Sequence, residues 1–213
     1  MITLEAADFL TFTPPQPLGV NELHLWFFPH WPRAPRAAES AFVRTLLGAY
    51  LRCDAGAVQV DRDVRGKPHL RGGRLRFNLA HSGEALLVGL ADSLDLGVDL
   101  ETPRRPRPVM DLARRYFAPG ETAALAALPE ARRQDAFLQL WTCKEAVLKA
   151  QGHGIAGGLA GVIFSLDEEL PCPRPAPGGV PWSVRCAVPA PEYVGAVAWL
   201  GDDPSIRAFK VIL

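Results

Sequence analysis

Apolar and polar residues alternate through Glu22–Phe28. Leu23, Leu25 and Phe27 fall on one side and His24 and Trp26 on the other, which predicts a β-strand. Pro32 and Pro35 interrupt the pattern. Over residues 39–51 the spacing changes, and Phe42, Leu46, Leu47 and Tyr50 recur at helical intervals, predicting an amphipathic helix. Val58 and Val60 fit a short strand before the basic turn at 61–69. Leu75, Phe77 and Leu79 then alternate with Arg76 and Asn78, residues 85–90 are apolar throughout, and 97–101 end another extended segment. After Pro103, Pro106 and Pro108 a helix is expected over 109–117, with one or two more between 121 and 151. Strand patterning returns at 162–166, 182–188, 193–200 and 206–213, around a proline-rich loop at 171–181 expected to be exposed. The pattern predicts an α+β fold with largely antiparallel sheets, its β-helix-β order used twice and divided near residues 102–108. No repeat is visible residue by residue.

Composition narrows the function classes. The 213 residues can bury a substantial core. Lys plus Arg equals Asp plus Glu at 23 each, so no global field recruits nucleic acid. No apolar run approaches the roughly 20 residues of a membrane span. The first ten residues contain Glu5 and Asp8 and lack the basic-then-apolar order of a secretory leader, so a cytoplasmic location is expected. Cys53, Cys143, Cys172 and Cys186 form no CxxC pair, and reduced thiols are expected. With 19 arginines and only 4 lysines, each lysine is conspicuous by its position.

Three constellations carry chemistry. Asp99 and Glu101 are two apart on a strand and share a face, with Leu100 opposite. Adjacent carboxylates repel unless a cation or strong donors compensate, and their hard oxygens suit Mg²⁺. They fit a solvated strand end or a helix cap as well. Trp141, Glu145 and Lys149 form a helical stripe at intervals of four, able to border a phosphate and metal site or to be a buried Trp beside a surface ion pair. Residues 61–81 hold Arg62, Arg65, Lys67, Arg71, Arg74 and Arg76 against Asp61 and Asp63, with His69 and His81 nearby. That is an anion-binding surface or simply a solvated basic one. His81 and Ser82 are adjacent on a strand and point apart, which excludes a nucleophile pair, and no glycine pattern makes a phosphate loop.

Together these residues resemble the 4′-phosphopantetheinyl transferase superfamily, in the two-lobed type similar to the surfactin-synthetase activating enzyme. The paired signatures G-V/I-D-x-E and W-x-x-K-E-A/S-x-x-K match Gly97-Val98-Asp99-Leu100-Glu101 and Trp141-Thr142-Cys143-Lys144-Glu145-Ala146-Val147-Leu148-Lys149, about forty residues apart. Gly66-Lys67-Pro68-His69 resembles the family's G-K-P segment, Phe77-Asn78-Leu79-Ala80-His81-Ser82 its F-N-x-S-H-S strand, and Arg44-Thr45-Leu46-Leu47-Gly48 its helix near the adenine site. The order and spacing of the set make the match specific over residues 40–165.

The resemblance implies two similar lobes in tandem, 1–101 and 102–213, related by a pseudo-twofold axis, with coenzyme A in the cleft between them. It implies transfer of the phosphopantetheine arm of coenzyme A to a serine of an apo acyl, aryl or peptidyl carrier protein, releasing adenosine 3′,5′-bisphosphate. Asp99, Glu101 and Glu145 would hold Mg²⁺ or Mn²⁺, with Glu145 either ligand or activator of the nucleophile, and Asp99, Glu145 and Lys149 form the catalytic set. Lys144 and Lys149 would contact phosphate. Lys67, Pro68, His69, His81 and Ser82 would hold the nucleotide phosphates, and Arg44 and Thr45 the adenosine end. Arg104, Arg105, Arg107, Arg114 and Arg115 would face an acidic docking helix of the carrier, and a monomer is expected. Ala80 replaces the family's serine, and Arg33 and Arg36 stand in for its N-terminal lysines. Two other classes share some of these features. A metal-dependent phosphohydrolase would use water as acceptor, and a nonenzymatic carrier-binding module would need neither the acidic pair nor Glu145.

Overall fold

Both faces of the strand at Glu22–Phe28 are buried, each in a different core. Leu23, Leu25 and Phe27 meet the apolar residues of a second sheet, whereas Trp26 and Phe28 pack beneath a helix carrying Val43 and Leu47. A sheet with two apolar faces needs a layer on each side, and that requirement sets the architecture. The computed structural model, which describes residues 3–11, 17–31, 36–104, 106–152, 158–166, 174–175 and 182–211, stacks helix, sheet, sheet and helices in that order.

In chain order the elements are β1 (Phe9–Thr11), β2 (Glu22–Phe28), α1 (Arg36–Leu51), β3 (Val60–Arg62), β4 (Pro68–Leu70), β5 (Leu75–Ser82), β6 (Ala85–Asp92), β7 (Leu96–Glu101), α2 (Val109–Tyr116), α3 (Pro119–Ala127), α4 (Glu130–Ala150), β8 (Phe164–Ser165), β9 (Arg174–Pro175), β10 (Trp182–Ala187), β11 (Val194–Leu200) and β12 (Ser205–Lys210). The larger sheet runs β1-β12-β2-β6-β5 and the smaller one β10-β11-β7. Leu86, Leu87 and Leu90 of β6 are fully buried, and each side chain contributes about 1.5–3 kcal/mol on leaving water. That explains why the wholly apolar segment at 85–90 lies inside its sheet rather than at an edge. None of the described helices is long and apolar enough to cross a membrane.

The α+β class and the paired sheet-and-helix regions are as expected. The sheets, however, do not divide at Glu101. β7 leaves its chain neighbour β6 and pairs antiparallel with β11, Asp99 opposite Ala196. The last strand, β12, inserts between β1 and β2 and runs parallel to both, so the larger sheet is mixed. Alternation identifies a strand but not its partner. In β7 the odd- and even-numbered sides meet different layers, and only the smaller sheet lets both be covered. Of the proline-rich loop at 171–181, all but Arg174–Pro175 lies outside the described residues.

Candidate functional site

The site begins with a glycine. Leu96, Val98 and Leu100 of β7 point into the core between the sheets, leaving Gly97, Asp99 and Glu101 toward α4. A Cβ built on Gly97 would lie 2.1 Å from the Ala146 carbonyl oxygen and 2.4 Å from the Ala150 nitrogen. The helix backbone therefore rests directly on the strand, and only glycine permits that approach. Glu145 and Lys149, each one residue before a contact point, lie beside the acidic pair. On the other flank, Asn78 of β5 is buried and its Oδ1 accepts the Val98 N–H at 2.9 Å, tying β5 to β7.

Lys149 Nζ stands 2.6 Å from Asp99 Oδ1. Among the described residues, the remaining oxygen of Asp99, Oδ2, and the Oε1 of Glu145 are buried without a hydrogen-bond partner. Burial lifts the Asp99 carboxyl to about 6, with Glu101 adding to the rise and Lys149 opposing it. Burial likewise lifts Glu145 to about 7, reinforced by the charge of Asp99 and countered by Lys149. Both acids are held above their usual range chiefly because burial strips water from their charged forms, and Lys149 offsets this only in part. Glu101 is compensated differently: Arg107 donates to its Oε2 at 2.6 Å and Ser82 Oγ donates to the same oxygen at 3.3 Å. His81 lies at the rim, its Nε2 3.4 Å from Glu39 in the first turn of α1. Burial lowers the His81 pKa, Glu39 opposes that shift, and Lys149 adds to it.

A cleft of about 380 Å³ opens at the other end of the same seam. Lys67, Pro68, His69, Phe77, Leu96 and Ala150 line it. Leu96 begins β7, so at about 3.3 Å per residue this cleft lies on the order of 10 Å along the strand from Asp99. The turn that delivers Lys67 is built locally: Asp63 Oδ1 accepts the N–H groups of Arg65 and Lys67, and Gly66 takes a φ of 86°. Lys67 Nζ donates to the carbonyls of Leu96 at 3.4 Å and Ala150 at 3.2 Å, the latter ending α4, where a cation meets the negative end of the helix.

The structure thus gathers Asp99, Glu101, Glu145, Lys149 and Ser82, with His81 beside them and Lys67, Pro68 and His69 in the adjoining cleft. It does not gather Lys144. That ammonium is fully buried on the far side of α4, 2.7 Å from Glu121 and bonded to the carbonyls of Leu159 and Val162. No phosphate reaches it there, because Lys144 shares the apolar stripe of Phe137, Leu140 and Leu148 rather than that of Glu145. Arg44 and Thr45 are exposed on α1 and do not line the cleft, and Thr45 Oγ bonds back to the Ala41 carbonyl at 3.0 Å. Trp141 packs among Tyr116, Phe117 and Phe137 and is part of the helical core. Arg33, Arg105 and the side chain of Arg36 lie outside the described residues. The sequence reading did not select Asn78 for the site and placed Arg107 only on the partner face. Both act from other elements, and no periodicity along β7 or α4 points to them.

Among the described residues no three His, Cys, Asp or Glu side chains are spaced to hold a metal ion as they stand. The donor chemistry nevertheless fits a hard divalent cation. Two buried carboxylate oxygens have no hydrogen-bond partner, and both belong to acids that a positive charge would return to their ionised form.

Comparison with known proteins finds one family throughout this region. The model of the 4′-phosphopantetheinyl transferase superfamily matches residues 95–197. The chain is 38% identical over 182 residues to the 4′-phosphopantetheinyl transferase HetI of Nostoc sp., covering 83% of this chain and 74% of that protein. It is 38% identical over 108 residues to the 4′-phosphopantetheinyl transferase AcpT of Salmonella typhi, covering 50% and 54%. It is 28% identical over 116 residues to the 4′-phosphopantetheinyl transferase Sfp of Bacillus subtilis, covering 54% and 50%. The chain therefore spans about three quarters of HetI and about half of the other two.

Proposed function

The chain belongs to the 4′-phosphopantetheinyl transferase superfamily, and on that premise we propose that the seam between β7 and α4 is where it moves the phosphopantetheine arm of coenzyme A onto a serine of an apo carrier protein. The observation that carries this reading is the pair of buried oxygens left unpartnered among the described residues, Asp99 Oδ2 on β7 and Glu145 Oε1 on α4, with Lys149 paired to the other oxygen of Asp99.

Asp99, Glu101 and Glu145 would hold Mg²⁺ or Mn²⁺, which when bound neutralises the pyrophosphate and orients its phosphorus for in-line attack. Lys149 neutralises a phosphoryl oxygen as charge builds on it. Lys67 offers the cleft a cation and His69 a ring N–H for the remaining phosphates, with His81 at the rim. The incoming serine oxygen forms a bond to the pantetheine-side phosphorus, and the bond from that phosphorus to the bridging oxygen breaks. Adenosine 3′,5′-bisphosphate leaves with the electron pair. The serine proton passes to Glu145 where that acid serves as base rather than as ligand of the cation. α2 presents Arg114 and Arg115 to solvent, Arg114 in an exposed pair with Asp111, and these suit an acidic helix of the carrier; Arg107 is held in a largely covered pair with Glu101.

Incubation with coenzyme A, Mg²⁺ and an apo carrier should raise the carrier's intact mass by one arm, roughly 340 Da. Hydrolysis of coenzyme A with an unmodified carrier would instead assign the seam to a phosphohydrolase.

A further inference from the structure

Arg107 is singled out by where its backbone lies and by which atom it holds. It stands between Pro106 and Pro108. The first proline fixes its own φ, and a residue that precedes proline is confined to extended conformations, so the segment carrying Arg107 is stiff. It is also anchored, because the Pro108 carbonyl accepts the N–H groups of Asp111 and Leu112 at 3.0 Å and starts α2. From this base the guanidinium reaches across the chain turn to Glu101 Oε2 at 2.6 Å, and both side chains are largely covered, at 24% and 19% exposure. Ser82 holds the same oxygen from β5 at 3.3 Å. With Oε2 gripped from two sides the carboxylate cannot rotate freely, and Oε1 is the oxygen that neither donor engages. Lys149 and Asp99 form the other close charge pair of the seam, so each strand carboxylate has one oxygen held by a cation.

We propose that Arg107 is a positioning residue of the carboxylate site, gripping one oxygen of Glu101 so that the other is presented to a divalent cation. The inference rests on the reading of Asp99, Glu101 and Glu145 as that cation's ligands. Two physical effects oppose each other here. A guanidinium beside a ligand repels an incoming cation, so an Arg107 that only balanced charge would compete with the metal, and its removal would tighten metal binding. A guanidinium that orders the ligand does the opposite, because a carboxylate released from its outer partner must be ordered again each time the metal binds.

The test is Mn²⁺ affinity of the purified full chain, read by calorimetry or by loss of the free Mn²⁺ resonance signal, without coenzyme A or carrier. Arg107→Ala should raise the Mn²⁺ Kd by roughly 10- to 100-fold. Arg107→Lys should recover part of that loss, since it restores one donor and the charge but not the fork. Arg74→Ala, which breaks an exposed 2.9 Å pair with Asp92, should leave the Kd unchanged. Glu101→Gln serves as the reference and should weaken Mn²⁺ at least as much as Arg107→Ala. An unchanged or tighter Kd in folded Arg107→Ala, beside a weakened Glu101→Gln, overturns the inference alone. An unchanged Kd in Glu101→Gln overturns the ligand reading beneath it. Should Arg107→Ala fail to fold, Arg107→Gln, which keeps a donor without the charge, is judged by the same criterion.

Discussion

Glu145 and Lys144 are neighbours in the chain with opposite fates, and the difference is one of angle. A helix turns about 100° per residue, so Glu145 and Lys149, one turn apart, lie toward the acids of β7, whereas position 144 falls in line with Phe137, Leu140 and Leu148. That placement was legible in the spacing, although the family motif drew attention to the lysine as a phosphate contact. The facing of Asp99 and Glu101 was equally legible from the two-residue period of a strand. The grip of Arg107 and the bond from Asn78 were not, because each crosses between elements that only the tertiary fold brings together.

A raised carboxyl pKa also has a consequence for stability. The Glu145 pKa lies at about 7 in the folded chain against an ordinary 4.5, so the folded state holds this proton more tightly than the unfolded state does. The benefit is complete below the ordinary value and is lost as pH rises through about 7. In metal-free buffer Glu145→Gln should therefore exceed the parent in stability at pH 8 by on the order of 1–3 kcal/mol. The gap should close toward pH 5. Urea unfolding at the two pH values measures it, and an equal gap at both would show that Glu145 is not destabilised by its charge.

At the scale of elements, the function depends on how closely α4 lies on β7. Gly97→Ala places a methyl against the backbone of Ala146 and Ala150, and backbone cannot step aside as a flexible side chain would. The variant should lose about 1–3 kcal/mol of stability. It should also lose transfer activity by roughly 10²-fold, because a displacement near 1 Å at a reacting centre has that effect. Gly120, in the first turn of α3 with open space around its own Cβ position, should accept alanine without either loss. Thermal unfolding and the carrier-mass assay on the two variants separate these outcomes. The glycine's place in the motif was plain from the sequence. Its physical reason, contact with a helix backbone some fifty residues away in the chain, was not.

At the scale of the whole molecule, the elements were legible and their assembly was not. The strands at Glu22–Phe28 and at Leu75–Ser82, and the helices before and after Pro119, lie close to where periodicity put them. The pairing of β7 with β11, and of β12 with both β1 and β2, follows from burying two faces of each sheet at once, a constraint no local window contains. The same assembly sets an acid from a strand of one sheet against an acid from a helix of the outer layer. If those two acids serve one cation and one phosphoryl group, they act as a unit.

A double-mutant cycle on Asp99→Asn and Glu145→Gln, read as the single-turnover rate of carrier modification with saturating coenzyme A and Mg²⁺, tests that unity most directly. Each single variant should fall by roughly 10²- to 10³-fold, with the double variant little slower than the worse single one. Near-parental rates in either folded single variant, or losses that multiply in the double, would contradict it.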